Sequence, residues 1–158
     1  MSQGRDNEGV VDAPSPFGEA EAARWLFENA SDLFAVVSPE GRFVSVNRAW
    51  ATLTGWSAEE LIGQPTLKFA HPDSQAELIS SGDRMRATGE AINELKILCK
   101  DGRAIWLQGR SRLGPNGEMI GLMHDISAEV AARAELESAR RTRQILAEEA
   151  GVGIWSYE

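Results

Sequence analysis

Cysteine and histidine are scarce in this sequence, and each shortage closes off a class of chemistry. Cys99 is the single cysteine among 158 residues. That excludes an internal disulfide framework and a cysteine-based zinc site, and it fits a reducing, cytoplasmic setting. His71 stands in a His-Pro-Asp run that reads as a helix-start device, and His124 reads as a surface residue of a strand. Neither has metal-ligand spacing, and there is no Gly-rich phosphate loop and no Ser-His-Asp order. Catalysis, which needs a nucleophile with a base, an acid–base pair or a metal, is therefore not expected within this chain. No apolar run is long enough to span a bilayer, and the polar amino terminus is no signal peptide. Positive charge is also short: 16 Lys and Arg against 24 Asp and Glu leave a formal net charge of -8. That balance argues against nucleic acid or an anionic membrane as the main partner.

What the sequence does have is an ordinary hydrophobic content, 42%, enough for one core with flanking segments. Its centre is the stretch from Ala91 to Ser127, which reads as three antiparallel strands. Asp101-Gly102 lies between Ile92 to Cys99 and Ala104 to Gln108, a strong hairpin signal, and Pro115-Asn116-Gly117 turns the chain into Met119 to Ile126. With Asp101-Gly102 as a two-residue loop, Ile97 pairs with Trp106, Leu95 with Gln108 and Asn93 with Arg110, all on one face. Met119, Gly121 and Met123 join them if the second loop has two or four residues. The opposite face then carries Leu98, Ile105, Leu107 and Ser111 beside Glu94 and Lys96, together with Ile120, Leu122 and Ile126. Both faces hold apolar residues, so both are expected to be at least partly covered; each buried Leu or Ile is worth roughly 1.5–3 kcal/mol.

In chain order, residues 1–15 read as a flexible leader and 16–31 as a short amphipathic flanking helix with Trp25 and Leu26. Leu33 to Val37 and Arg42 to Val46 make two strands around Ser38-Pro39-Glu40-Gly41. Asn47 is placed to cap a helix over Arg48 to Thr54 that stops at Gly55, and Ser57 to Glu60 opens another with a capping-box pattern. Pro65 to Ala70 supports no more than a helical turn. Asp73 is placed to cap a longer helix from Ser74 to about Ala87. A helix rich in Ala, Glu and Arg fills 128–148, with Ala132, Leu136, Ala139 and Leu146 at 3–4 spacing and Arg143 interrupting that seam.

The run Asn47, Trp50, Leu53, Thr54, Gly55, Trp56, Ser57, Glu59 to Gln64, then His71-Pro72-Asp73, Lys100-Asp101-Gly102 and Gly121 to Ser127, resembles the PAS family in order and spacing. The resemblance spans roughly Trp25 to Glu129. It implies an α+β fold over 32–127, with a five-stranded antiparallel sheet, short helices on one face, an N-terminal flanking helix and a C-terminal linker helix. Residues 149–158 look like the start of a second, truncated PAS-like unit. The family implies a sensory module that binds a small ligand or a protein and transmits through its C-terminal helix to a histidine kinase or a cyclic-dinucleotide enzyme. The alternative is a ligand-free dimerisation or docking module with a filled core.

The resemblance makes the first face the pocket side. The candidate pocket is Trp50, Leu53, Trp56 and Phe69 from the helical segments, with Asn93, Leu95, Ile97, Trp106, Gln108, Arg110, Gly121 and Met123 from the strands; Leu78 and Met85 help to close it. Arg110 on that side would snorkel to the rim, pair with a carboxylate, or meet an anionic ligand. Which cofactor, if any, is unknown. Haem is disfavoured because Ser74 to Ala87 has no histidine, and covalent flavin photochemistry because Thr66-Leu67-Lys68-Phe69 stands where an Asn-Cys-Arg-Phe-like run would. A non-covalent flavin stays open, since Trp106 could stack on one or simply fill the core. A homodimer is expected through the outer face, Ile105, Leu107, Leu113, Ile120 and Leu122, and the flanking helix, that face being covered by the Trp25-Leu26 helix or by the partner chain. Asp125 and Ser127 mark the junction from the last strand to the exit helix.

Overall fold

The computed structural model describes residues 16–154. The expected leader, 1–15, and the strand expected at the very end of the chain lie outside the described residues. Five strands, β1 (Leu33–Val37), β2 (Phe43–Val46), β3 (Glu90–Leu98), β4 (Ala104–Leu113) and β5 (Met119–Asp125), form one antiparallel sheet in the order β2-β1-β5-β4-β3. Helix α1 (Glu19–Asn29) precedes the sheet. Helices α2 (Arg48–Thr54), α3 (Ala58–Leu61) and α4 (Gln75–Thr88), with 3₁₀ turns at Thr66–Phe69 and Pro72–Ser74, link β2 to β3, and α5 (Ser127–Ile154) leaves from β5.

Local chemistry explains most of these boundaries. Gly55 and Gly89 end α2 and α4 in the left-handed region, at φ 79° and 85°, where a side chain would be strained. Ser57 and Glu60 complete the capping box of α3, Ser57 Oγ accepting from the Glu60 N–H and Glu60 Oε2 from the Ser57 N–H. Two expected caps do not form. Asn47 occupies the N-cap position of α2, yet its buried side chain accepts from the Phe34 N–H at 3.0 Å and donates to the Asp32 carbonyl at 2.9 Å, tying β1 to α2. Asp73 does not cap α4 either; the His71 ring Nδ1 accepts from the Asp73 N–H at 3.1 Å and starts the 3₁₀ turn before it.

The register of β4 differs from the sequence expectation. Leu95 lies opposite Leu107, Ile97 opposite Ile105, Asn93 opposite Gly109 and Ala91 opposite Ser111. The loop holds three residues, Lys100-Asp101-Gly102, closed by the Cys99 N–H donating to the Arg103 carbonyl at 2.7 Å, with Gly102 at φ 90°. One added residue turns every β4 side chain over. Trp106, Gln108 and Arg110 therefore face away from the helices, and Ile105, Leu107 and Leu113 face toward them. The second loop, Pro115-Asn116-Gly117, also has three residues, and the Gly114 N–H donates to the Glu118 carbonyl at 2.7 Å. The two inversions cancel for β5, so Met119, Gly121 and Met123 lie on the same side as Leu95 and Ile97, as expected.

The core fills the space between the sheet and α2, α3 and α4, with Leu33, Phe43, Trp50, Leu61, Phe69, Leu95, Ile97, Ile105 and Leu107 buried. Phe43, Trp50, Phe69 and Trp56 chain together edge to face at 5.1–5.8 Å between ring centres, a favourable geometry for aromatic quadrupoles. Helix α1 meets the sheet through Phe27 against Phe34, 5.9 Å apart, while Trp25 and Leu26 remain exposed, Trp25 at 64%. The flanking helix thus does not cover the outer face with the two residues expected to do so.

Helix α5 runs unbroken from Ser127 to Ile154, past the expected linker boundary at 148, with Gly151 inside it.

Candidate functional site

Between the sheet and α4 lies a cavity of about 380 Å³, within the range of small-molecule sites. Its wall is built from Trp50 and Phe69, from Leu78, Ser81 and Met85 of α4, from Asn93, Leu95 and Ile97 of β3, from Leu107 and Ser111 of β4, and from Met119, Gly121 and Met123 of β5. Of the residues expected there, Trp50, Phe69, Asn93, Leu95, Ile97, Gly121 and Met123 come together on the wall. Leu53 and Trp56 pack against the core without lining the cavity, and the Trp56 indole donates to the Leu98 carbonyl at 2.9 Å.

Trp106, Gln108 and Arg110 are on the other side of the sheet, the consequence of the three-residue loop. Lys96 Nζ sits 5.8 Å from the Trp106 ring, and Gln108 donates to Glu94 at 3.1 Å. Trp106 is therefore neither a core residue nor a stacking surface for a flavin in the cavity, and none of the three pocket roles considered for Arg110 applies. In their place β4 supplies Leu107 and Ser111. Ser81 of α4 is a further wall residue beyond the sequence expectation, and Leu78, Ser81 and Met85 fall at steps of three and four on α4, the spacing of one helix face.

The cavity wall is mostly apolar, and its buried polar side chains are Ser81, Asn93 and Ser111. Asn93 Nδ2 donates to Ser81 Oγ at 2.6 Å, and both side chains are buried. Asn93 Oδ1 is buried without a hydrogen-bond partner among the described residues. An unpaired buried amide oxygen costs about 1–3 kcal/mol. The charged groups near the opening, Glu40 and Arg86, are exposed, and Arg86 is paired with Asp83 at 2.8 Å. Cys99 is buried beside the Leu53 carbonyl, and burial raises its thiol pKa, so it stays protonated rather than reactive.

The exit from the sheet is bonded, not merely adjacent. Trp106 is the hub: its carbonyl accepts from the Ile126 N–H at 2.9 Å and its N–H donates to Ser127 Oγ at 3.0 Å. Asp125 Oδ1 accepts from the Ser127 N–H at 2.9 Å, which anchors the first turn of α5. One residue upstream, His124 Nδ1 lies 2.9 Å from Asp32 Oδ1, linking the end of β5 to the approach to β1. The hydrogen bond to Asp32 raises the His124 pKa above its ordinary value.

No helix among the described residues is long and apolar enough to cross a membrane. The crystal structure of the PAS domain of a protein from Colwellia psychrerythraea is similar to this chain with a TM-score of 0.62 and 24% identity, covering 69% of this chain and 98% of that one. A domain of the sensory box sensor histidine kinase/response regulator from Geobacter sulfurreducens gives a TM-score of 0.61 and 22% identity, over 67% of this chain and 93% of that one. The methyl sulfide methyltransferase-associated sensor of Methanosarcina acetivorans is 24% identical over 119 residues, which make up 75% of this chain and 12% of that protein. The chain thus spans only a small part of that relative's length. Residues 23–126, well over half of the chain, match the family model of the PAS fold, and with the strand order and helix-covered face just described, the chain belongs to the PAS family.

Proposed function

We propose that this PAS domain is a sensory module that takes up a small uncharged molecule in the cavity between the sheet and α4 and passes its occupancy through the β5–α5 junction to a downstream effector. The observation that carries this reading is Asn93 Oδ1, buried without a hydrogen-bond partner among the described residues, on the wall of a mostly apolar cavity of about 380 Å³. Such a wall suits an apolar body with one hydroxyl or N–H donor. It does not suit an anion, because no charged side chain on the wall is buried. The effector fits a histidine kinase, with a cyclic-dinucleotide enzyme as the alternative, and a cytoplasmic location and a homodimer accord with that role. A relative's place in a sensor and a structural neighbour's place in a sensor histidine kinase support the signalling assignment.

Native mass spectrometry of the purified chain, followed by thermal melts with small neutral alcohols and amides, tests the ligand. Binding at one hundred times Kd adds about 2.7 kcal/mol of stability, which is readily seen as a raised Tm. Asn93→Leu is expected to weaken binding roughly tenfold or more while the empty protein melts no lower than the parent. A ligand that binds Asn93→Leu and the parent equally well removes the polar contact from this reading.

Transmission has its own readout in the full-length protein. Asp125→Ala frees the Ser127 N–H and is expected to cost about 0.5–2 kcal/mol as a lost helix-start bond. If the junction transmits, effector output changes by more than the folded fraction does, and ligand affinity stays as it was. A change in output that only tracks folded protein would make Asp125 a cap and nothing more.

A second reading has an observation of its own. Ile92, Ile120 and Leu122 on the outer sheet face are exposed together with Trp25 and Leu26 on α1, an apolar surface suited to docking a partner or a second copy. Of the outer patch expected from the sequence, only Ile120 and Leu122 remain candidates.

A further inference from the structure

The outer sheet face carries one polar row beside the exit to α5. Glu94 of β3 lies opposite Gln108 of β4, Gln108 opposite His124 of β5, and the pairing of Leu33 with Met123 puts Asp32, just ahead of β1, beside His124. Side-chain bonds hold the row at both ends. His124 Nδ1 lies 2.9 Å from Asp32 Oδ1, and Gln108 Nε2 donates to Glu94 Oε1 at 3.1 Å. The middle of the row depends on the protons of the imidazole. No described residue donates to Gln108 Oε1, and a neutral ring has one N–H to offer where an imidazolium has two. Protonated, His124 can serve Asp32 through Nδ1 and Gln108 through Nε2, across a strand pair whose Cβ atoms are about 4.5–5.5 Å apart. Neutral, it can serve only one of them.

We propose that His124 is a proton-binding site of this domain, and that its protonation ties β1, β5, β4 and β3 together in the row next to the exit and firms the first turn of α5. The groups around the ring favour the cation. Asp32 stands ahead of β1, Asp125 follows on β5, Glu129 lies in the first turn of α5 and Glu94 beyond Gln108 on β3, whereas Arg110 of β4 is a row away, opposite Leu122. Both ends of the bond are anchored. The Asp32 carbonyl accepts from the buried Asn47 amide at 2.9 Å, and the residue after His124, Asp125, holds the Ser127 N–H. Because Asp32 raises the His124 pKa, the pair stabilises the fold in full below the ordinary histidine value, about 6.5, and that contribution is lost as pH rises through the raised value. With 61% and 38% of the two side chains accessible, solvent screens the pair and the response is modest. An effect on an effector rests on the junction transmitting as proposed above, but proton binding and the response of α5 do not.

NMR on the whole chain tests this with two readouts. The His124 ring is titrated in the parent, in Asp32→Asn and in Gln108→Leu, with the ring of His71 as internal reference. Both substitutions are expected to move the His124 midpoint down toward the ordinary histidine value, Asp32→Asn by more. The second readout is amide hydrogen exchange at Ser127 and Val130, whose N–H groups bond Asp125 and the Ile126 carbonyl in the first turn of α5. After correction for the intrinsic pH dependence of exchange, their protection in the parent should be about two- to fivefold higher near pH 6 than near pH 8.5, the range that an exposed pair allows. In His124→Gln it should be the same at both. A midpoint that Asp32→Asn leaves in place, parent protection that does not change with pH, or an equal change in His124→Gln would each overturn the proposal. Protection that follows His124 while effector output of the full-length protein ignores pH would leave the proton site standing and count against transmission instead.

Discussion

Replacing Leu107 with Glu is expected to abolish the cooperative thermal melt of the domain. Leu107 is 1% exposed, opposite Leu95 in the ladder and on the cavity wall. The substitution removes the burial of a Leu, worth about 2–5 kcal/mol with its cavity term, and forces a carboxylate either to lose its charge or to lose its water. Against a total stability of about 5–15 kcal/mol for a domain, that is enough to unfold much of the population. Leu122→Glu provides the contrast. Leu122 is 41% exposed on the outer face and lies opposite Arg110, so its replacement should change stability by about 0.5 kcal/mol or less, while lowering any self-association through that face. The reverse pattern, with Leu107→Glu melting like the parent and Leu122→Glu unfolded, would mean that the faces of β4 and β5 are assigned the wrong way round.

Gly109→Val should also be costly, for a different reason. A Cβ at position 109 would collide with the backbone carbonyl of Leu122 and the Met123 sulfur across the β4–β5 ladder. The sulfur can move, but the carbonyl belongs to a paired strand. Overpacking of this kind costs about 1–3 kcal/mol, or roughly 4–8 °C of Tm per kcal/mol in a domain near 100 residues. Met123, displaced toward the cavity it lines, should also reduce its capacity, so a ligand that stabilises the parent should stabilise Gly109→Val less. Gly121→Ala serves as the control. Its Cβ would come no nearer than 3.4 Å to Ser111 Oγ, and removing a strand glycine is expected to be neutral or to stabilise by up to about 1 kcal/mol. Equal melting temperatures for Gly109→Val and Gly121→Ala would show that the sheet yields at 109.

The candidate site is only partly legible in the sequence, and the gaps have a common cause. Trp50, Phe69, Leu95 and Ile97 are apolar residues whose own element period places them on the covered side, so they can be found from the chain alone, whereas Met123 falls there because the two three-residue loops invert the sheet face twice. Ser111 and Leu107 cannot, because the face of β4 depends on a loop count. A two-residue loop would also place Gln108 and Arg110 in the pocket, and the three-residue loop puts them on the other side of the sheet. The orphaned oxygen of Asn93 is a property of two elements at once: Ser81 of α4 takes the amide N–H, and no described residue reaches the other end.

By itself the sequence determines the order of the elements, several of their ends and which family the chain joins. The Ser57–Glu60 capping box, the left-handed glycines at 55 and 89, and the alternation of Leu95 and Ile97 act over a few residues and need no partner from afar. Tertiary structure decides which way β4 faces. Asp101-Gly102 is compatible with a two-residue loop or with the last two places of a three-residue loop, and those choices bury opposite sets of side chains. Lys100 is drawn out of the ladder because its N–H donates to the Thr54 carbonyl at the end of α2, 2.8 Å away, and its ammonium reaches Glu60 on α3. In the same way Asn47 gives up its place as a cap to bond Phe34 and Asp32. A hydrogen bond between residues about 46 positions apart leaves no trace in the local pattern, yet the period-two geometry of a strand makes its effect absolute for every side chain of β4.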